Sequence, residues 1–454
     1  MKPLKTFGRA VMTKVLVPLF VLNCFAAVPA AAQVNYAISG DTAFVAPSPN
    51  ASGNIVIAST FNGYPVTAIA DLAFSWCTSL TNVTIPNSVT NIGDWAFSYC
   101  SSLASVTIPD SITRVGNRAF SSCMSLTNVI LGSSVTNIGA YAFSWCIRLT
   151  KMPIPNSVTT IESEAFRNCS SLASVTIPDS VTTLGDWVFG DCTSLTNVII
   201  PDTLTTIGNH MFFHCTRLAN VTIPDTVTTI GYGAFRECVN LTSVTIPDSV
   251  TMIRSTTFMD CHSLTNVMLG SGVTSIEDHT FTSCSNLTSV TIPNGVTSLG
   301  TWAYFKCAGL KSVTIGNGLN AIGFFTFWGC TNLTSITFSG NMPNLSSDFY
   351  YLGSNTTIYY YYGTSGWGPL YGGLPTVMLG APAPQVGSGT AGVKPGGFGF
   401  AIAGVVNQTI VVEASTNFAT WHPVSTNTLS AASANFVDPQ WLNHPRRFYR
   451  LRSN

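Results

Sequence analysis

Hydrophobic positions along this chain return in one fixed register. Cys77, Cys100, Cys123, Cys146, Cys169, Cys192, Cys215, Cys238, Cys261, Cys284, Cys307 and Cys330 are each 23 residues apart. Three residues before each stands Phe, from Phe74 to Phe327, with Tyr304 the one departure. Three residues after each stands Leu, from Leu80 to Leu333. Counting from the cysteine, Val or a near equivalent follows at +6, Ile, Leu or Phe at +8, usually Pro at +9, and a second apolar pair at +12 and +15. A constant period of this length marks stacked structural units rather than a framework of disulfides with irregular loops.

The local pattern predicts the elements. Leu80-Thr-Asn-Val83-Thr-Ile85 ends in strict alternation, so Val83 and Ile85 face one way and Asn82 and Thr84 the other. That is a short strand, closed by Pro86, which has no N–H to offer a ladder. Ile92, Ala96, Phe97 and Cys100 stand three to five residues apart, which suits one helical or 3₁₀ turn. A single unit cannot bury its own apolar side chains, but stacked units pack each column against its copies above and below. At about 4.8 Å per rung, twelve rungs make a rod or arc of about 55–60 Å.

The unit as a whole resembles a known family. Leu-x-x-Val-x-Ile is the core of a leucine-rich repeat. With Ala-Phe before the cysteine and Ile-Pro-Asp/Asn-Ser-Val-Thr after the strand, the unit is similar to the BspA-type leucine-rich repeats of exported bacterial surface proteins. The resemblance covers residues from about Asn54 to Leu345. It implies a leucine-rich-repeat solenoid displayed at a cell surface, and adhesion to proteins or other cells as its work.

Composition narrows the rest. Only 8% of residues are charged and 46% are hydrophobic, which excludes a disordered chain and a coiled coil. The formal net charge is zero, without the basic excess of a nucleic-acid binder. Residues 1–14 carry Lys2, Lys5, Arg9 and Lys14 and no acid; an apolar run from Val15 to Val28 and then Ala30-Ala-Ala32 follow. This is the layout of a secretory signal peptide, with an apolar run too short for a membrane span. Cleavage near Ala32 takes away four of the 19 basic residues and none of the 19 acids, leaving a net charge of −4 and no transmembrane segment. The expected product is secreted or held at the cell surface.

The predicted layout is therefore a signal peptide at 1–32, an N-terminal cap at 33–60 and a solenoid at 61–345 with twelve Cys-marked rungs. A C-terminal cap follows at 346–380, then a Gly/Pro-rich linker at 381–397 and a small β-sandwich-like module at 398–454. The aromatic run Tyr359 to Tyr362, with Trp367, reads as packed cap, with a carbohydrate platform as the alternative. Gly387-Ser-Gly389-Thr-Ala-Gly392 matches a dinucleotide fingerprint by chance, for want of the strand and helix that motif requires.

Candidate chemistry is sparse. The cysteines read as buried free thiols, because disulfides between parallel Cβ vectors would be strained. His210 and His214 lack the Glu of a zinc-protease helix, and His210 and His279 fall three rungs apart, about 14 Å. The acids Asp94, Asp186, Glu237, Asp260 and Asp278 are scattered from rung to rung. No catalytic residue, metal site or cofactor is predicted.

The outward strand positions are the candidate site. Asn82, Thr84, Ser105, Thr107, Ser174, Thr176, Asn220, Thr222, Ser243, Thr245, Ser289 and Thr291 stand at +5 and +7 of their rungs. They should line the concave face of the arc, nearly uncharged, with Lys151 and Lys311 as rare cations. Rows of hydroxyls and amides suit an extracellular protein or glycan partner, bound by a monomer. The alternatives are a structural envelope or matrix component without a discrete ligand, and, less favoured, a carbohydrate-active enzyme.

Overall fold

The computed structural model describes residues 34–453, apart from 347, 348, 350, 351, 353, 354, 382, 388, 389 and 445. The segment read as a signal peptide lies outside the described residues. Rungs are numbered here by their cysteine, from rung 1 (Cys77) to rung 12 (Cys330).

The chain winds as a parallel β-solenoid. Its main ladder is built from the predicted strands, among them Leu80–Thr84, Ser105–Thr107, Asn128–Ile130, Ser174–Thr176, Ser243–Ile246 and Ser289–Ile292. Equivalent residues pair in parallel, one rung to the next: Asn128 with Ser105, Ser243 with Asn266, Ser289 with Ser312. The ladder is interrupted at rung 4, where Pro153 replaces the usual Thr and only a Lys151–Ser174 bridge remains. Proline has no N–H to donate, so the interruption follows from the residue.

Each rung also has a second strand, of two residues. Asn91–Ile92, Arg114–Val115, Asn137–Ile138 and their successors to Asn344–Leu345 form a second parallel ladder, broken between Leu184 and Thr206. Ile92, assigned by pattern to a helical turn, instead ends this strand.

The third side of each rung differs from expectation. The segment before each cysteine keeps 3₁₀-type bonds, such as Ser98 N–H to Trp95 O (3.0 Å) and Cys100 N–H to Phe97 O (3.2 Å), but it is a run of turns and not a helix. The residues five and one before the cysteine have positive φ in all twelve rungs, for example Trp95 and Tyr99 at 60°. A left-handed residue cannot sit inside a right-handed helix. The alternation turns every second N–H along the stack: Trp95, Phe97 and Tyr99 donate to Asn117, Ala119 and Ser121 of the next rung at 2.7–2.8 Å. A helix would have consumed those groups internally, and the stack would have lost a third set of rung-to-rung bonds.

The interior is a set of columns. The Phe rings lie parallel at 5.0–5.8 Å along the stack, and the Leu at +3 and apolar +6 side chains lie beside them, nearly all buried. The twelve described cysteines are free and buried. Each thiol from Cys100 on donates to the carbonyl of the aromatic residue one rung back, at 3.1–3.3 Å, from Phe74 O to Tyr304 O. Burial pushes the thiols of rungs 1 to 11 upward, Cys123 and Cys169 to about 12.

The ends are made of incomplete rungs. Gly53–Val56 pairs in parallel with Leu80–Thr84, and Asn35–Ser39 turns back antiparallel on Thr42–Ala46. At the other end Thr357–Tyr361 and Leu374–Leu379 extend the main ladder. Tyr360, Trp367 and Tyr371 are buried there, with the Tyr360 and Trp367 rings stacked at 5.0 Å, so these aromatics pack as a cap.

The C-terminal residues form two antiparallel sheets around Phe400, Ile402, Ile410, Val412, Leu429 and Phe436. The linker reading is corrected in part: Gln385–Val386 and Gly392–Lys394 pair with Gly397–Ala403. Gly387 of the chance fingerprint therefore follows the first of these strands and Gly392 opens the second.

Candidate binding face

Alternation along the main strands sets the face. Positions +3, +6 and +8 point inward and are generally buried, which turns +5 and +7 outward. Thr84, Thr107, Ser174, Thr176, Asn220, Thr222, Ser243, Thr245, Ser289 and Thr291 are exposed, and Asn82 and Ser105 are half-buried. Asn220 and Thr222 keep the same outward positions although residues 219–223 are not strand.

Threonines stand in three exposed columns, and hydrogen bonding separates them. At +4, Thr127, Thr265 and Thr334 donate their hydroxyls to carbonyls one rung back, at 3.0–3.2 Å. At +13, Thr136 and Thr274 do the same to Thr113 O and Thr251 O, at 3.1 and 3.0 Å. Those hydroxyls belong to the scaffold. Among the described residues, the only hydrogen bond of a +7 threonine hydroxyl is Thr245 Oγ1 with Met268 Sδ at 4.0 Å. The +7 hydroxyls point away from the ladder and keep their hydrogen-bonding capacity.

The same column holds residues that selection by residue type passed over. Val56 of the incomplete first rung, Ile130, Ile199 and Met268 occupy the +7 register and are 72%, 51%, 54% and 59% exposed. Ile130, Ile199 and Met268 are three rungs apart, about 14 Å. The signal lay in the column itself, read rung by rung.

A cleft of about 490 Å³ borders the face near its C-terminal end, lined by Thr291, Thr314, Asp248 and Asn294 among others. The rare cations Lys151 and Lys311 are both exposed.

Several carboxylates away from the face are bound into the scaffold. Glu277 accepts the Ser255 N–H (2.9 Å) and pairs with Arg254, and Asp278 accepts the Thr301 N–H (2.7 Å). Asp186 holds Asn209, and Asp191 bridges His214 and Arg167. His210 stacks on Trp187 at 4.2 Å, and burial pushes its imidazole below the ordinary value. Among the described residues no three His, Cys, Asp or Glu side chains converge as metal ligands would.

A parallel solenoid with one Leu-x-x-Val-x-Ile strand in each turn is a leucine-rich-repeat protein. A family model described as BspA type leucine rich repeat region matches residues 67–196, 136–265, 188–310 and 251–363. The chain belongs to that family. It is similar to a leucine-rich repeat protein of Bacteroides ovatus, 26% identical over 72% of this chain and 98% of that one, with a TM-score of 0.52. A leucine rich cell surface protein of Faecalibacterium prausnitzii is also 26% identical, over 70% and 95% of the two chains, with a TM-score of 0.45. No curated protein matches the chain. No helix of the described residues is long and apolar enough to cross a membrane.

Proposed function

We propose that this protein is an exported, surface-placed binding protein that holds an extracellular protein partner on the outward face of its main strand ladder, without catalysis. The observation that carries this reading is the +7 column. It offers unclaimed hydroxyls and, every third rung, a solvent-exposed aliphatic side chain. Aliphatic groups set among hydroxyls match a protein surface better than a sugar, which is recognised by rings and by converging polar groups.

Two further observations support it. The Phe rings are spaced 5.4–5.8 Å apart through most of the stack, against about 4.8 Å for paired strands. Rungs that fan apart on the Phe side bend the stack toward the strand face, which favours a concave surface there. The neighbouring Glu277 and Asp278 carboxylates are engaged in scaffold bonds, which weighs against hydrolysis. Export rests on the pattern of residues 1–32 and on the family resemblance.

The test is binding of the mature chain to immobilised matrix proteins. Saturable binding that falls at least tenfold in Thr222→Lys and Thr245→Lys is expected. Saturable binding unchanged by both substitutions would remove the strand face from the account. A folded, monodisperse sample with no partner would favour a purely structural role.

A further inference from the structure

A second surface stands out on the turn edge, away from the strand face. The position just before each cysteine has φ between 55° and 78° in every rung. That conformation suits Gly and Asn and strains a bulky side chain. From rung 5 onward the position carries Asn168 and then polar or charged residues, ending in Gly329. In rungs 1, 2 and 4 it carries Trp76, Tyr99 and Trp145. Trp76 is 65% exposed and Trp145 50%. The fold does not ask for aromatics here, because the nine other rungs form the same turn without Trp, Tyr or Phe. Strain and solvent exposure both oppose them, and neither buys core packing.

The column also contains unclaimed polar groups. Ser122 lies between Tyr99 and Trp145 and is 6% exposed, and among the described residues its hydroxyl makes no side-chain hydrogen bond. Asn168, on the far side of Trp145, is half-buried, and among the described residues its side-chain amide makes no hydrogen bond either. Trp76 and Tyr99 stack at 4.0 Å and 4°, a single aromatic block. Tyr99 and Trp145 are two rungs apart, about 10 Å. No charged residue occupies this column in rungs 1 to 5. The strip spans about 14 Å from rung 1 to rung 4, about half the width of the patch, about 30 Å across, that a standard protein interface of roughly 800 Å² per partner covers.

We infer that this strip is a saccharide-binding site, in which a neutral pyranose ring of an oligosaccharide enters between Tyr99 and Trp145 above Ser122. Aromatic side chains meet the C–H faces of the sugar, and the Ser122 hydroxyl and Asn168 amide meet its hydroxyls. An equatorially linked chain extends in the plane of the bound ring, so adjoining rings leave the slot sideways across the edge, while Trp76 backs Tyr99 from behind. The site is independent of the strand face.

The experiment is calorimetric titration of the mature full-length protein with cellotetraose and with N-acetylchitotetraose. Saturable binding of at least one is expected, weakened tenfold or more by Trp145→Asn and unaffected by Thr222→Lys. Trp145→Asn places at rung 4 the residue that rung 5 already uses, so it should fold as well as the parent, and its melting temperature verifies this. Absence of saturable binding of either sugar to the parent overturns the inference, as does binding that survives Trp145→Asn together with Trp76→Asn. If the two sugars fail while a protein partner is lost on Trp145→Asn, the strip is a protein contact and the inference fails.

Discussion

Tyr304 is the one tyrosine in a column of phenylalanines, and the stack makes a sharp prediction about it. Its ring is fully buried and lies between Phe281 and Phe327, with centroids 5.1 and 5.6 Å away. Its hydroxyl is buried without a hydrogen-bond partner. Around it are the thiols of Cys284, Cys307 and Cys330, already engaged with carbonyls one rung back. An unpaired buried hydroxyl costs about 1–3 kcal/mol. Tyr304→Phe removes that oxygen and restores the ring used in the other rungs, so it should stabilise the protein by about 1–2 kcal/mol. Part of the gain is offset by the small void left where the oxygen stood. The converse change, Phe281→Tyr, should destabilise by a similar amount. Urea unfolding of the parent and both variants, followed by tryptophan fluorescence and circular dichroism together, measures this; two probes are needed because long repeat arrays can unfold in stages. Destabilisation by Tyr304→Phe would mean that the hydroxyl is satisfied and that the interior at rung 10–12 is not the uniform column described.

Other consequences are open to test. Leu195→Ala, in the middle of the stack, should cost about 2–5 kcal/mol, read from the same unfolding curves. The twelve repeat cysteines, all buried, should not react with a thiol reagent at pH 8 in the native protein and should all react once it is unfolded; fast native reaction would contradict their burial. The hydrogen bond from Arg450 holds the Glu413 carboxyl below the ordinary 4.5, with Arg452 adding to it. A depressed carboxyl contributes stability that is present above its unfolded value and lost as pH falls through its folded value. The C-terminal sheets should therefore weaken in acid below about pH 4.5, and Glu413→Gln should flatten that dependence in a pH series of melting curves. Thr222→Lys, finally, should lower partner affinity at least tenfold while leaving the melting temperature nearly unchanged, since the side chain is exposed.

Much of the fold can be read from the chain. The Phe, Leu and Cys columns are visible because each rung must bury the same side chains against its neighbours, and the alternation Val83-Thr84-Ile85 assigns inside and outside directly. The second ladder was hidden because two residues, such as Asn91–Ile92, are too few to alternate. The turn edge was hidden for a different reason. Trp, Arg, Glu and His are poor candidates for a left-handed conformation, yet Trp95, Arg118, Glu164 and His210 adopt it. Rung-to-rung hydrogen bonds outweigh local preference there, and only Gly233 and Gly329 hint at it in the sequence. On the candidate face, choosing by commonest residue found Asn, Ser and Thr and lost Ile130, Ile199 and Met268 from the same column. Which threonines are free was not legible at all, because Thr84 and Thr90 look alike until the carbonyl beside each is known: Thr90 donates to Thr67 O at 3.2 Å.

The most direct test of the central claim compares two faces of one molecule. Ile199→Lys charges the +7 column, and Thr228→Lys charges the scaffold threonine column at +13. Binding of each full-length variant to the same immobilised protein partner, measured as an equilibrium affinity, is the deciding quantity. The account predicts that Ile199→Lys lowers affinity at least tenfold and that Thr228→Lys leaves it within twofold. Equal losses, or a loss confined to Thr228→Lys, would contradict it.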